Sequence, residues 1–528
     1  MEKKEKIFLR IKDFRSFEDI TFEFRPLNFI FGPNGAGKSS FIKATKFLSH
    51  NLFNLDDTLF FEGLKPLTNR YKVDKDTDLV SFMETVRNND INKKIVFEII
   101  IKNIEISYDN YKKFLEEKNY VEKTKELSHK YPTIENEITD ISVKFEINNN
   151  IDLTKRGRIQ ITITDILNGI SFEYTPDSAS DKNQNTYERK VSISNNNKYY
   201  TTKLSFLGYT GVMPFIQTHS QYEKYSLEDE FNSLEHKLKM MEVPSNEIKE
   251  VLIETFKVFY KIFFAIPYKI KDIFYKIEHL PAIREVPQYA YLLNEGRFPE
   301  HDYYGILTAF AEDMGIQYKV DEDNLFHNID TTSNTISIGP IISFTDFVNK
   351  TLLQLGLAKE IIVKKEERSG WINYITMENG VETNLAGASS GLLQLLPIIF
   401  KAINFKKYVN DPSNGLKFIE QPELHLHPKL QAELANFFCS KNIINNNLII
   451  ETHSEHMVRK LQVLIAQNKL KKEQVAIYYF NKDQKTGVTS IKEMRLDDKG
   501  RFLDKWPEGF FDTDTELALE FFKEISKN

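Results

Sequence analysis

The residues with the clearest chemistry are Gly32, Pro33, Asn34, Gly35, Ala36, Gly37, Lys38, Ser39 and Ser40, in the pattern G-x-x-x-x-G-K-S. Glycines at this spacing let successive backbone N–H groups curl around phosphate oxygens, and a following helix aims its positive end at the same anion. Lys38 adds a point charge at the β and γ phosphates, and Ser39 offers a hydroxyl to Mg2+. A second stretch, 415–428, is an apolar run ending in Glu420, Gln421 and Glu423. A carboxylate at the tip of an apolar strand beside a phosphate loop suits the water shell of Mg2+. A third, 447–454, ends its apolar run in Glu451, Thr452, His453 and Ser454. In a fourth, Gly387-Ala388-Ser389-Ser390-Gly391 opens an apolar helix, which is chemically another anion-binding N-terminus. The rival chemistry is a metal site drawn from Glu423, His425, His427, His453 and His456, whose spacings are permissive but less specific than the glycine loop.

The flanking patterns supply elements to position these groups. Residues 7–11, 20–24 and 27–31 read as strands, expected to form a small sheet feeding the loop, and 39–48 continues as a helix without Gly or Pro. Alternating runs at 95–101, 141–147, 159–163 and 190–193, separated by Asn/Asp/Lys-rich turns, read as an antiparallel sheet. Phe231, Leu234, Leu238 and Met241, then Ile248, Leu252, Phe256, Phe259 and Phe263, give a helical hairpin broken at Pro244. Further on, 347–358 reads as a helix, 371–376, 475–480 and 491–496 as strands, and 515–525 as a final helix.

Composition sets the outer limits. The chain has 528 residues, 41% of them hydrophobic and 28% charged, so more than one ordinary core is expected. Seventy basic residues against 76 acidic leave a net charge of −6, with no global attraction for nucleic acid or an anionic membrane. The single cysteine, Cys439, excludes an intrachain disulfide and suits a reducing compartment. No stretch approaches 18 uninterrupted apolar residues, and a cytoplasmic location is expected.

Residues 11–17 with 27–40 resemble the start of ABC-type ATPases of the RecF, SMC and OLD group, and the later motifs follow in that group's order. The resemblance implies an α/β fold: a P-loop NTPase of ABC type with a mixed core sheet, an antiparallel β subdomain and a helical insertion. It makes 1–55 the first part of the ATPase domain, 56–220 the β subdomain, 221–276 the insertion, 277–473 the second part and 474–528 a closing segment. It implies ATP and Mg2+ as cofactors, with Ser39 and Glu420 as metal ligands. Ser390 and Gly391 would act as a signature segment on a nucleotide held by a partner copy, and His453 would read the γ-phosphate. The usual Asp-Glu pair is replaced by Glu420-Gln421. An amide orients water but takes no proton at neutral pH, so Gln421 points to slow hydrolysis, with Glu423 the nearby carboxylate able to substitute.

Arg284, in a Pro-x-x-Arg segment similar to that of a subset of these ATPases, is open to two readings, a contact with phosphate or carboxylate and a structural arginine. Trp506-Pro507-Glu508-Gly509-Phe510-Phe511-Asp512 resembles the C-terminal signature of a prokaryotic subset, many found in phage-defence gene pairs, and reads as an aromatic plug. The expected function is an ATPase whose nucleotide-gated self-assembly senses or drives a protein effector encoded nearby. An ATP-occupancy scaffold and a RecF-type DNA-binding protein are the alternatives; the near-neutral charge does not favour the last.

Overall fold

The structure is a computed structural model. Apart from single residues or pairs within them, it describes residues 4–53, 86–106, 137–147, 159–174, 187–206, 266–284, 291–292, 317–320, 326–328, 341–365, 371–402 and 415–507, with positions 257, 261 and 265. Apart from positions 257 and 261, the helical hairpin expected at 231–263 lies outside the described residues, as do the final helix at 515–525 and the signature from Glu508 onward.

In chain order the elements are β1 (Lys6–Phe14), β2 (Phe17–Phe24), β3 (Leu27–Phe31), α1 (Lys38–Phe53), β4 (Ile95–Ile106), β5 (Glu137–Ile147), β6 (Ile159–Asp165), β7 (Ile170–Tyr174), β8 (Tyr187–Asn195), β9 (Lys198–Phe206), α2 (Ile266–Phe274) and β10 (Ile277–Leu280). They continue with β11 (Tyr291–Leu292), β12 (Gln317–Val320), β13 (Phe326–Asn328), β14 (Ile341–Ser343), α3 (Phe344–Gln354), β15 (Ile361–Lys365), β16 (Trp371–Glu378), β17 (Val381–Asn384) and α4 (Ser390–Ala402). The last are β18 (Leu416–Glu420), α5 (Pro428–Phe438), β19 (Leu448–Glu451), α6 (Glu455–Ala466), β20 (Val475–Lys482) and β21 (Thr489–Glu493). Contacts divide the chain into two compact units, one of Met1–Phe24, Ser39–Tyr275 and Lys482–Ser490, the other of Arg25–Lys38, Lys276–Asn481 and Ile491–Asn528.

The first unit is built on an antiparallel run β2-β1-β4-β5-β6-β7. Its strands alternate: Ile95, Phe97, Ile99 and Ile101 of β4 are buried, with half-buried residues between them, as expected where one face of a sheet is covered. Helix α1 covers part of that face, Phe47 meeting Phe14 and Phe97, and Phe41 meeting Phe22.

The second unit holds a parallel run β10-β18-β19-β3-β20, with Leu448 opposite Leu27 and Val475 opposite Leu27 on the other side. Here β1 and β2 depart from expectation, since they do not share a sheet edge with β3: its neighbours are β19 and β20. The burial pattern explains the difference. All five residues of β3 are buried, which requires cover on both faces and suits a central parallel strand, whereas β1 and β2 alternate. Helix α3 ends at Gln354 rather than running to 358, because Gly356 takes a left-handed conformation and Leu357 N closes back on Leu352 O. The core of this unit joins β3, β18, β19 and β20 to α3, α4, α5 and α6.

Candidate functional site

The C-terminal tips of β3, β18 and β19 lie side by side, so the loops leaving them converge, as ligand loops do in α/β sheets. After Phe31 the chain turns at Gly32 with φ +143°, and a Cβ there would fall 2.2 Å from the carbonyl oxygen of Phe480. Only glycine lets the loop leave β3 so close to β20. Gly35 and Gly37 are also left-handed, and Ala36 N donates to Pro33 O. Pro33, Asn34, Gly35, Ser39 and Ser40 are exposed or half-buried at the loop's rim. Ser39 opens the chain segment that belongs to the antiparallel unit.

Lys38 is only 4% exposed. Its Nζ donates to the carbonyls of Gly32 (2.8 Å) and Pro33 (3.1 Å) and lies 3.5 Å from Glu451 Oε1. Burial drives both partners toward neutrality. It lowers the Lys38 pKa against the pull of Glu451, and pushes Glu451 up to about 7, with Lys38 opposing and Glu420 and Glu423 adding to the rise. The motif reading gave Glu451 no role of its own. Its signal was present: like Glu420 it ends an apolar strand, and the parallel register sets the two opposite each other.

Glu420 is held from β10 and the loop behind it: Oε1 lies 3.0 Å from His279 Nε2, and Oε2 accepts from Ala282 N at 3.3 Å. Gln421 is left-handed, φ +41°, and its amide N donates to Glu451 O at 2.7 Å. Glu423 is buried, and its Oε1 accepts from His453 N at 2.6 Å. Burial raises the Glu423 pKa, the His453 amide opposing it. Among the described residues, Oε2 of Glu423 and Oε2 of Glu451 are buried without a hydrogen-bond partner. His453 is exposed as a residue, but partial burial of its imidazole, and next the Lys38 charge, lower its pKa.

The neighbouring histidines serve the turns. His427 caps α5 through Nδ1, which accepts from Lys429 N, and His425 is exposed at φ +62°. Ser454 caps α6 and donates to Gln431 Oε1 at 2.6 Å. Among the described residues no group of His, Cys, Asp and Glu is arranged to hold a metal by itself.

Helix α4 starts at Ser390, with Ser389 Oγ accepting from Leu392 N. Ser390 is exposed, and a methyl group added at Gly391 would meet only Leu357 and Leu426 at ordinary contact distance. Among the described residues nothing forbids a side chain there. Arg284 lies between this helix and β18, bonded to Gln394 Oε1 and Glu420 O. Behind the glycine loop Trp506 sets its ring edge-on to Phe31, the last residue of β3, and to Tyr479 and Phe502.

Comparison with known families finds a model described as AAA ATPase domain matching residues 7–458, and one described as a protein of unknown function (DUF3696) matching residues 470–520. No curated protein matches the chain. Among solved structures it is similar to the Smc head domain with an extended coiled coil bound to the C-terminal domain of ScpA, derived from Pyrococcus furiosus. That match has 12% identity, 99% of this chain and 100% of that one covered, and a TM-score of 0.37. The SMC head domain from Thermotoga maritima matches at 11% identity, with 93% and 98% covered and a TM-score of 0.32.

Proposed function

The chain belongs to the AAA ATPase domain family, and on that footing we propose that it binds ATP with Mg2+ at the Lys38 cluster, hydrolyses it slowly, and assembles with a second copy when ATP is held. The observation that carries this reading is the convergence at Lys38. A buried ammonium sits among the carbonyls of Gly32 and Pro33 beside Glu451, at the tips of three parallel strands. Burial disfavours its charge, so triphosphate oxygens are the ligand that would restore it.

In this reading the loop from Gly32 to Ser40 surrounds the phosphates, His453 meets the γ-phosphate, and Ser390-Gly391 reach the nucleotide of the partner copy. The acids also fit a hydrated Mg2+, for which oxygen donors are required: Glu451 Oε2 is a buried acceptor with no protein donor among the described residues. Ser39 and Glu420 would hold the ion, which when bound neutralises phosphate charge. Gln421 orients the attacking water through its amide and accepts no proton. Glu423 keeps one oxygen on His453 N and so fixes the turn that carries that imidazole. The protein effector, and a role in prokaryotic antiphage defence, extend the reading through the resemblance of the Trp506-Pro507 segment alone.

ATP turnover measured across protein concentration, beside Lys38→Ala and Gln421→Glu, tests this. Turnover that climbs with concentration and disappears in Lys38→Ala is expected. Wild type that binds ATP without turnover, while Gln421→Glu turns over, makes the protein an occupancy switch; the amide at Gln421 is what favours that second reading.

A further inference from the structure

Arg284 is a buried cation, 9% exposed, in the loop after β10. The parallel register of β10 on β18, with Leu280 opposite Ile419, brings that loop to the tip of β18. Its guanidinium spans two elements. Nη1 donates to Gln394 Oε1 in α4 at 2.9 Å, while Nη2 donates to Glu420 O at 2.7 Å and reaches Gln421 O at 3.4 Å. A planar fork presents separate nitrogens to acceptors on the two elements, a spread that the single nitrogen of a lysine does not reproduce.

What lies at the far end of this bridge is a strained residue. A left-handed backbone at a non-glycine position costs on the order of 1 kcal/mol and persists only where its surroundings hold it. At Gln421 the holding groups are Glu451 O on its amide, and Leu424 N and Arg284 on its carbonyl. Two of these bonds lie within β19 and the turn itself; the Arg284 fork is the one that leads to α4. Gln394 is one turn into that helix, four residues after the exposed Ser390.

We propose that Arg284 is a positioning residue that ties the backbone of Gln421 to the placement of helix α4. Resting on the nucleotide reading above, this makes the amide that faces the attacking water respond to what engages the N-terminus of α4. Assembly is thereby felt at the chain's own site, with no contact between Ser390 and Gln421 required.

The test uses the full chain as Arg284→Lys, Gln394→Met and the double variant, each checked by its melting curve. Hydrogen exchange at the amides of Gln421 and Leu424, read without nucleotide, is expected to speed up in both single variants. The double variant should be no faster than Arg284→Lys, because the two residues act as one unit. Affinity for a fluorescent ATP analogue should stay within about twofold while turnover falls roughly ten- to a hundredfold, a kcat effect and not a binding one. Unchanged exchange at 421–424 in Gln394→Met, additive effects in the double variant, or a loss of nucleotide affinity overturns the proposal. Should Arg284→Lys fail to fold, Gln394→Met decides alone, since Gln394 makes no bond of its own to the turn. A wild type without turnover removes the ATPase reading and leaves the exchange result to judge the bridge.

Discussion

The two turns that carry the site are built on opposite principles. The loop after β3 places glycine at each of its left-handed positions, Gly32, Gly35 and Gly37, so its shape is inherent in its residues. The turn after β18 places Gln421 and His425 in the same region of backbone space, where side chains are disfavoured. It keeps its shape because Arg284, Glu451 and Leu424 hold it. A turn of the first kind takes its shape without backbone strain. The second depends on its neighbours, and can therefore respond to them.

The largest effect is expected where the first kind of turn is denied its glycine. Gly32→Ala forces a methyl group into the Phe480 carbonyl at 2.2 Å and demands an unfavourable φ, so the loop cannot leave β3 as it does. A loss of about 3 kcal/mol or more is expected, with nucleotide binding abolished, in a melting curve and a fluorescent-ATP titration. Gly35→Ala provides the contrast. Its φ is +77° but nothing lies within 4 Å of the added carbon, so only about 1 kcal/mol of backbone cost is expected. Equal losses in the two variants would mean that packing against β20 is not what distinguishes Gly32.

An intermediate effect is expected at Glu451, which belongs to neither turn but touches both, through Lys38 and through the Gln421 amide. Its native pKa is raised from 4.5 to about 7, so the folded protein holds that proton more tightly than the unfolded chain. The stability this contributes is complete below pH 4.5 and is lost as pH rises through about 7. Glu451→Gln mimics the protonated form. It should match wild type near pH 5 and exceed it at pH 8 by about 1–3 kcal/mol, the upper figure being the whole shift, in which the Lys38 pairing is already counted. Denaturant midpoints at the two pH values measure this. A variant less stable than wild type at pH 8 would show the Lys38–Glu451 ion pair to be a net stabilising contact.

How much of this was legible in the sequence follows the same division. The glycine loop, the apolar β3 and the helix behind it were readable because every element of that signal is local. The alternation of β4 to β6 was readable for the same reason. The sheet partner of β3 was not, since the choice between β1 or β2 and β19 or β20 depends on cover for both faces, which residues hundreds of positions away supply. Glu420 and His453 were singled out by motif, whereas Glu451 was named at the end of the 447–454 run without a role, because its pairing with Lys38 depends on the packing of β19 beside β3. Arg284 was placed between two readings, phosphate contact and structural arginine. The bonds to Gln394 and to the carbonyls of Glu420 and Gln421 favour a structural role directed at the site, a relation no sequence spacing expresses.

The smallest effect separates strain that is held for a purpose from strain that is merely tolerated. His425 shares the left-handed backbone of Gln421, but it is exposed, and among the described residues its side chain makes no hydrogen bond. His425→Gly should therefore release backbone strain while giving up little, offset by the greater freedom of glycine in the unfolded chain. A net gain of about 0.5 kcal/mol is expected, with nucleotide affinity unchanged, in paired melting and titration measurements. Lower stability in this variant would mean that the imidazole holds the turn from outside as Arg284 does. The strained stretch would then run from Gln421 through to the cap of α5 at His427 as one braced unit, with Gln421 no longer set apart from its neighbours.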